Sequence, residues 1–480
     1  MNRRLLAVGV VLLVGLSFDR PKTTTAGELR AGAFAVDVTP LKFPISMNGN
    51  MQDAPAKKAA DPLHARCLVL DDGKTRIALV VVDNCVIRRE LMDDSKQRAS
   101  KLTGIPTERM LISSTHAHSC PTATGVFQSE PIVEYVEFLT ERIAAGIKQA
   151  NDNLAPARAA WGVGRDETQV FNRRWLLKEP SNESNPFGMI DKARMNPGFS
   201  NPKVTKSAGP VDPEVSFLSV QSPDGQPRAF LANYSLHYVG GTGGDLSADY
   251  FGAFAERIGQ LLKVDDSDKP PFVGMMSNGT SGDVNNVNFG LTMPPKFQPF
   301  EKLKLVANSV ATAALAAHEK AEYRSAVSIA MREAEIELEV RKPSADDIAA
   351  AKERLSKGGE FPYKTMPDIY ARETLKLAEY PDTVKLKLQA IRIGELGIVA
   401  IPAEVFTEIG LEIKRRSPLQ PTFTIALANG WNGYLPTPQQ HELGGYETWR
   451  ARSSYLEVDA SPKIVATLVR LLNEVAAENK

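Results

Sequence analysis

Cysteine is scarce: Cys67, Cys85 and Cys120 are the only three in 480 residues. An odd, sparse set matches neither a disulfide framework nor a cysteine-based zinc site. The three read as small buried hydrophobes, with one disulfide among them left open. An excess of either charge is also missing. The 57 Lys+Arg balance the 57 Asp+Glu, and without a basic surplus or a long Lys/Arg run the chain is not a nucleic-acid binder. There is no Gly-x-Ser-x-Gly elbow, no phosphate-cradling Walker loop and no His-Glu-x-x-His helix, which sets aside serine hydrolases, P-loop enzymes and zincins. Internal repeats, Pro-rich or Gly/Ser-rich linkers and, beyond the N-terminus, any second apolar run of membrane-spanning length are absent too.

What is there is an ordinary globular composition, 43% hydrophobic and 24% charged, able to bury a large core. The start is different. Asn2-Arg3-Arg4 precedes the apolar run Leu5 to Phe18, and Thr23-Thr24-Thr25-Ala26 follows before Glu28. A basic flank, an apolar stretch shorter than the ~20 residues of a membrane span and a small-residue exit are the layout of a cleaved signal peptide over 1–26. An uncleaved anchor is the competing reading. The mature chain, 27–480, is then expected in the periplasm or outside the cell, with no transmembrane segment.

The mature chain reads as one large mixed α/β unit. Ala31 to Thr39 alternates as a half-buried strand, and Asp71-Asp72-Gly73 splits two β-rich runs into a hairpin. Residues 130–150, 303–318 and 348–355 carry helical periodicity. Residues 325–387 are richer in charge and read as an inserted subdomain. Five apolar strands run into loops that open with polar residues: Met110 to Thr115 before His116, Ala229 to Ala232 before His237, and Phe272 to Met276 before Asp283. Leu396 to Ile401 before Glu404, and Phe423 to Leu427 before Asn429 and Tyr434, complete the set. Ligands collect beyond the carboxyl ends of strands in α/β sheets, so five such ends point to one site.

His116 and His118 are two apart and share a face on extended backbone. They are a candidate metal pair, since zinc takes neutral imidazoles and carboxylates, and equally a structurally satisfied pair. His237, before the glycine-rich run 240–244, is a candidate third ligand; taken alone it reads as structural. Glu404 on spacing alone reads as a carboxylate complementing a helix dipole. His64 reads as structural or on a pocket rim, and His318 and His441 as solvated.

In ordered patches from Ala31 to about Tyr455 the chain resembles the neutral/alkaline, non-lysosomal ceramidase family, which are zinc-dependent amidases. The patches are Ala33 to Pro40, Ile112-Ser-Ser-Thr-His-Ala-His-Ser119, Phe171-Asn-Arg173, Asn233 to His237 with Ser247-Ala-Asp249, the strand ending Pro402-Ala403-Glu404, and Leu427-Ala-Asn429 with Gly433-Tyr434-Leu-Pro-Thr437 and Gly445-Tyr446-Glu447. The resemblance implies zinc ligands His116, His237, Glu404 and Tyr434. It also implies substrate or transition-state contacts from His118, Arg173 and Tyr446, with His118 as proton shuttle.

Two departures stand out. The family's essential serine is Asn285 here, which cannot be an oxygen nucleophile but can bond a carbonyl, and the family's glycine after His-Ser is Cys120, expected to reshape the pocket. The chain ending at Lys480 is expected to lack the family's immunoglobulin-like C-terminal domain. The resemblance thus implies a secreted zinc (Zn2+) hydrolase that cleaves the amide of a ceramide or another small-molecule or lipid N-acyl substrate by metal-activated water. A zinc hydrolase for a different amide or ester, and a secreted zinc- or ligand-binding protein without turnover, are the alternatives.

Overall fold

A computed structural model describes residues 28–478 apart from positions 180, 182, 183, 266, 268 and 269. The expected signal peptide, 1–26, lies outside the described residues. The described chain winds through one connection pattern three times. In the first pass, strands Arg30–Asp37, His64–Asp71 and Arg76–Val82 pair antiparallel, helix Arg89–Thr103 crosses over, and Met110–Ser114 returns parallel to Arg76–Val82. Helix Val133–Asp152 then packs back on the first strand.

The second pass uses Arg158–Arg165, Glu214–Gln221 and Pro227–Tyr234, crossover helix Asp249–Leu261, parallel strand Val273–Asn278 and closing helix Glu301–His318. The third uses Ile329–Glu339, Thr383–Ile393 and Leu396–Ile401, then Thr407–Arg416, Thr422–Ala426 and Ala460–Ala477. The sequence shows no repeat because what recurs is the order of connections, not residues. Long excursions interrupt the pattern between strands at 166–213 and 340–382.

Side-chain alternation explains how three sheets share one interior. Leu68, Leu70 and Leu79 of the first sheet meet Leu218, Leu231 and Met275 of the second and Ile391, Ile398 and Ile425 of the third in one buried cluster. The opposite faces bury Cys67 and Val80 under Leu139 and Ile143, Phe217 and Phe230 under Val306 and Val310, and Leu388 and Val399 under Ile464 and Leu468. Strands buried on both faces read as near-continuous apolar runs, as these do.

The expected hairpin at Asp71-Asp72-Gly73 forms, with Asp71 paired to Arg76. The charged segment 325–387 is more integrated than its composition suggests. Its ends lie on strands that pair from Ile329↔Ile393 to Glu339↔Thr383, and only residues 340–382, with helices Ala345–Lys357 and Met366–Ala378, leave the sheet. All three cysteines are buried free thiols. Among the described residues no helix is long and apolar enough to cross a membrane.

Candidate metal centre

The parallel pairs of all three sheets send their carboxyl ends to the same place. Cys85, His237 and Glu404 are each the third residue after Val82, Tyr234 and Ile401, the last residues of the equivalent strands. His116 follows the parallel strand of the first sheet through a left-handed backbone, φ 74°, a conformation that costs a non-glycine residue of order 1–3 kcal/mol and collects at functional sites. Glu404 does not open a helix. Glu404–Val405 forms a short strand parallel to Tyr434–Leu435, with Glu404 opposite Tyr434, and the helix starts at Thr407.

His116 Nε2 lies 3.0 Å from His237 Nε2 and 3.2 Å from Glu404 Oε2. The Nδ1 atoms point away: that of His116 donates to the Cys85 carbonyl at 3.0 Å and that of His237 to the Ser281 carbonyl at 2.9 Å. Holding Nδ1–H this way leaves both Nε2 lone pairs facing inward, the arrangement of metal-ligating histidines. Trp431 Nε1 donates to Glu404 Oε1 at 3.0 Å, while Oε2 is buried without a hydrogen-bond donor. Two imidazole nitrogens and a carboxylate oxygen converge, buried, with Arg173 Nη1 3.3 Å from His237 Nε2. Crowded acceptors of this kind are stabilised by positive charge, so the set fits a cation.

The electrostatics agree. Burial works against protonating His116, but the Glu404 carboxylate outweighs it and holds the imidazole well above its ordinary range. Burial, then the positive neighbours, hold His118 and His237 well below it. Glu404 sits below the usual carboxylate range despite burial, because His116 faces it. His116 is thus the imidazole of the cluster that takes a proton, and Glu404 is the carboxylate that faces it.

Tyr434 lines the same cavity of about 40 Å³, room for roughly two to three waters, and burial pushes its phenol up. Its hydroxyl accepts from Arg173 Nη2 at 3.1 Å. Arg173 is 4% exposed and further held by the Gly282 carbonyl at 2.9 Å and Glu447 Oε1 at 3.0 Å, with Nη1 3.3 Å from His237 Nε2. His118 Nε2 stands 3.2 Å from His116 Nε2, and its Nδ1 is buried without a hydrogen-bond partner. Tyr446 walls the cavity, edge-on to Tyr434 with ring centroids 5.7 Å apart. A larger cleft of about 730 Å³ runs past His64 and Arg66, and none of the expected site residues lines it.

Asn285 is not brought to this cluster. Its amide donates to Asn196 Oδ1 at 2.8 Å and its Oδ1 accepts from the Val287 N–H at 2.9 Å, on a short strand against Phe171–Asn172. Cys120 is buried against the Ser247 carbonyl and is not part of the cavity wall. The two histidines read as solvated are half-buried: His318 Nε2 bonds the Tyr323 hydroxyl at 2.8 Å beside Phe217 and Phe230, and burial, then Arg341 and Arg174, push His441 down to about 3. Trp431 and Gly49 escaped the sequence reading, and Glu447 was named there only within Gly445-Tyr446-Glu447, with no role. Glu447 alone had a signal, its place next to Tyr446.

Neither a protein-family model nor a curated protein sequence matches the chain. Solved structures do. Neutral ceramidase from Pseudomonas aeruginosa superposes with a TM-score of 0.68 at 16% identity, over 94% of this chain and 74% of that one. A ceramidase complexed with C2 gives 0.66 at 17%, over 94% and 75%. At such identity the likeness is one of fold, and the chain has the neutral ceramidase fold.

Proposed function

We propose that this protein is an exported zinc-dependent amidohydrolase that cleaves an N-acyl substrate of the ceramide type. One observation carries the reading: the imidazole Nε2 atoms of His116 and His237 and the orphaned Oε2 of Glu404 converge, buried, on a ceramidase fold. His116, His237, Glu404 and Tyr434 would hold the zinc, offering the imidazole and oxygen donors that zinc takes. When bound, zinc supplies a Lewis acid for the amide carbonyl and acidifies water.

The chain's own residues do the rest. Arg173, fixed by Glu447 and the Gly282 carbonyl, is a preorganised donor for charge developing on the carbonyl oxygen. Tyr446 offers a second hydroxyl at the cavity wall. His118 is neutral, held beside the cluster and free at Nδ1, so it can carry a proton to the leaving amine. Asn285 is engaged by Asn196 and Val287 and takes no catalytic part in this scheme. Export, to the periplasm or beyond, rests on residues 1–26.

The test is metal content together with turnover. The mature chain is expected to hold one zinc and to hydrolyse members of an N-acylsphingosine panel, with both lost in His116→Ala. Absence of zinc after reconstitution would sink the site. Turnover confined to esters or unrelated amides would favour the other zinc hydrolase. Zinc without turnover, with turnover appearing in Asn285→Ser, would favour a binding protein.

A further inference from the structure

The three equivalent strand ends place His237, Glu404 and Cys85 in corresponding positions, and two of these belong to the His/His/Glu set. The third carries a thiol. Cys85 is 1% exposed, lines the same cavity as His116, His118 and Glu404, and holds its Sγ 3.8 Å from His116 Nδ1. One donor atom each from Cys85, His116 and His118 lies within 4.8 Å of the others, as do those of His116, His237 and Glu404. In the first of these sets His118 Nε2 faces His116 Nε2 at 3.2 Å, while its Nδ1 is buried beside Gly49 without a hydrogen-bond partner. In the same cavity Glu404, 4% exposed, presents Oε2 without a donor.

We propose that Cys85, His116 and His118 form a second, sulfur-containing cation site that overlaps the first and takes thiophilic ions such as cadmium. Ligand softness separates the two sets. Two imidazoles, a carboxylate and a phenol suit zinc, whereas a thiolate with two imidazoles favours softer ions. The thiol gives its proton to solvent as the sulfur–metal bond forms, with no change of oxidation state. His116 serves both sets, so occupancy is exclusive: a soft ion on Cys85 withdraws His116 from the zinc ligands and blocks His118. The proposal concerns binding and does not require the hydrolase reading.

Cadmium chloride titrated into the purified full-length protein tests it, read by thiolate-to-metal charge-transfer absorption and by release of bound zinc. Wild type is expected to develop a single-thiolate band and lose its zinc in step. Cys85→Ser should lose the band while keeping its zinc, which also shows that it is folded. Cys67→Ser and Cys120→Ser should retain the band. His118→Ala should weaken cadmium binding by about tenfold or more, and His237→Ala should keep the band though it loses zinc. No band in wild type, a band persisting in Cys85→Ser, or one lost in His237→Ala would each overturn a separate soft site. Zinc absent from wild type with the cadmium band intact would instead count against the proposed function alone.

Discussion

Tyr238 lies flat on His118, with ring centroids 3.7 Å apart and planes 15° from parallel. Gly49, at φ +94°, packs against the same imidazole, and an added Cβ there would stand 2.3 Å from His118 Nδ1. The histidine is thus held by an aromatic face and a bare backbone, and its position depends on a glycine distant in the chain.

Gly49→Ala is therefore expected to push His118 out of register without touching the His/His/Glu donors. Zinc content should stay at the wild-type level while kcat falls, by up to about 100-fold if the shift approaches 1 Å. Metal analysis alongside steady-state kinetics on an N-acyl substrate checks this. An unchanged kcat would remove His118 from the proton-transfer role.

The loop that carries Tyr238 hangs on Asp249. This buried carboxylate accepts from the Val239, Gly240 and Tyr250 N–H groups at 3.1, 2.7 and 2.6 Å. Burial raises its pKa from 3.8 to about 6 against the lowering effect of those bonds. The folded state then binds the proton more tightly than the unfolded chain between about pH 4 and 6. This group's contribution to stability is fully present below pH 4, falls as pH rises through that window and is level above it. Asp249→Asn cannot titrate. Urea unfolding from pH 4 to 7 should show wild type losing stability relative to the variant up to about pH 6 and holding a constant offset beyond; a flat offset throughout would contradict the shift.

The strand ends and the polar loops beyond them were legible in sequence because each strand is a short apolar run that stops at a polar residue. The threefold recurrence was not, because corresponding positions carry Cys85, His237 and Glu404, residues with no chemical likeness. Glu404 misled by spacing: the pairing that turns it inward joins it to Tyr434, thirty positions on. The burial of His318 depends on Phe217 and Phe230 from other strands, which local polarity does not reveal. The groups that fix the imidazole tautomers are main-chain carbonyls of Cys85 and Ser281, and these leave no trace in residue identity.

Metal removal should destabilise the whole fold, since His116, His237, Glu404 and Tyr434 come from all three sheets. Zinc at about 100 times its dissociation constant is expected to add ~2.7 kcal/mol to unfolding stability relative to the chelated protein. Thermal melts with chelator and with graded zinc measure it, and His116→Ala should melt at one temperature in both. A wild-type melting temperature indifferent to zinc would exclude a native-state site.

Glu447 is wholly buried between two arginines, accepting from Arg173 Nε at 3.0 Å and Arg174 Nη1 at 2.6 Å. Burial works against the charge on Arg173, but Tyr434 and Glu447 outweigh it and hold the guanidinium ionised. Glu447→Gln keeps the shape and removes the charge, leaving two buried cations without their shared anion. Breaking a buried pair from one side costs about 3–5 kcal/mol, so the variant should unfold at markedly lower urea. In the fraction that remains folded, Arg173 loses one of its fixing bonds, and kcat should fall more than KM changes because the donor acts on charge that develops during reaction. Glu447→Asp, which restores the anion, should recover part of the stability. A cost below about 1 kcal/mol in Glu447→Gln would mean the arginines are neutralised from elsewhere, and the rigid placement of Arg173 would need another source.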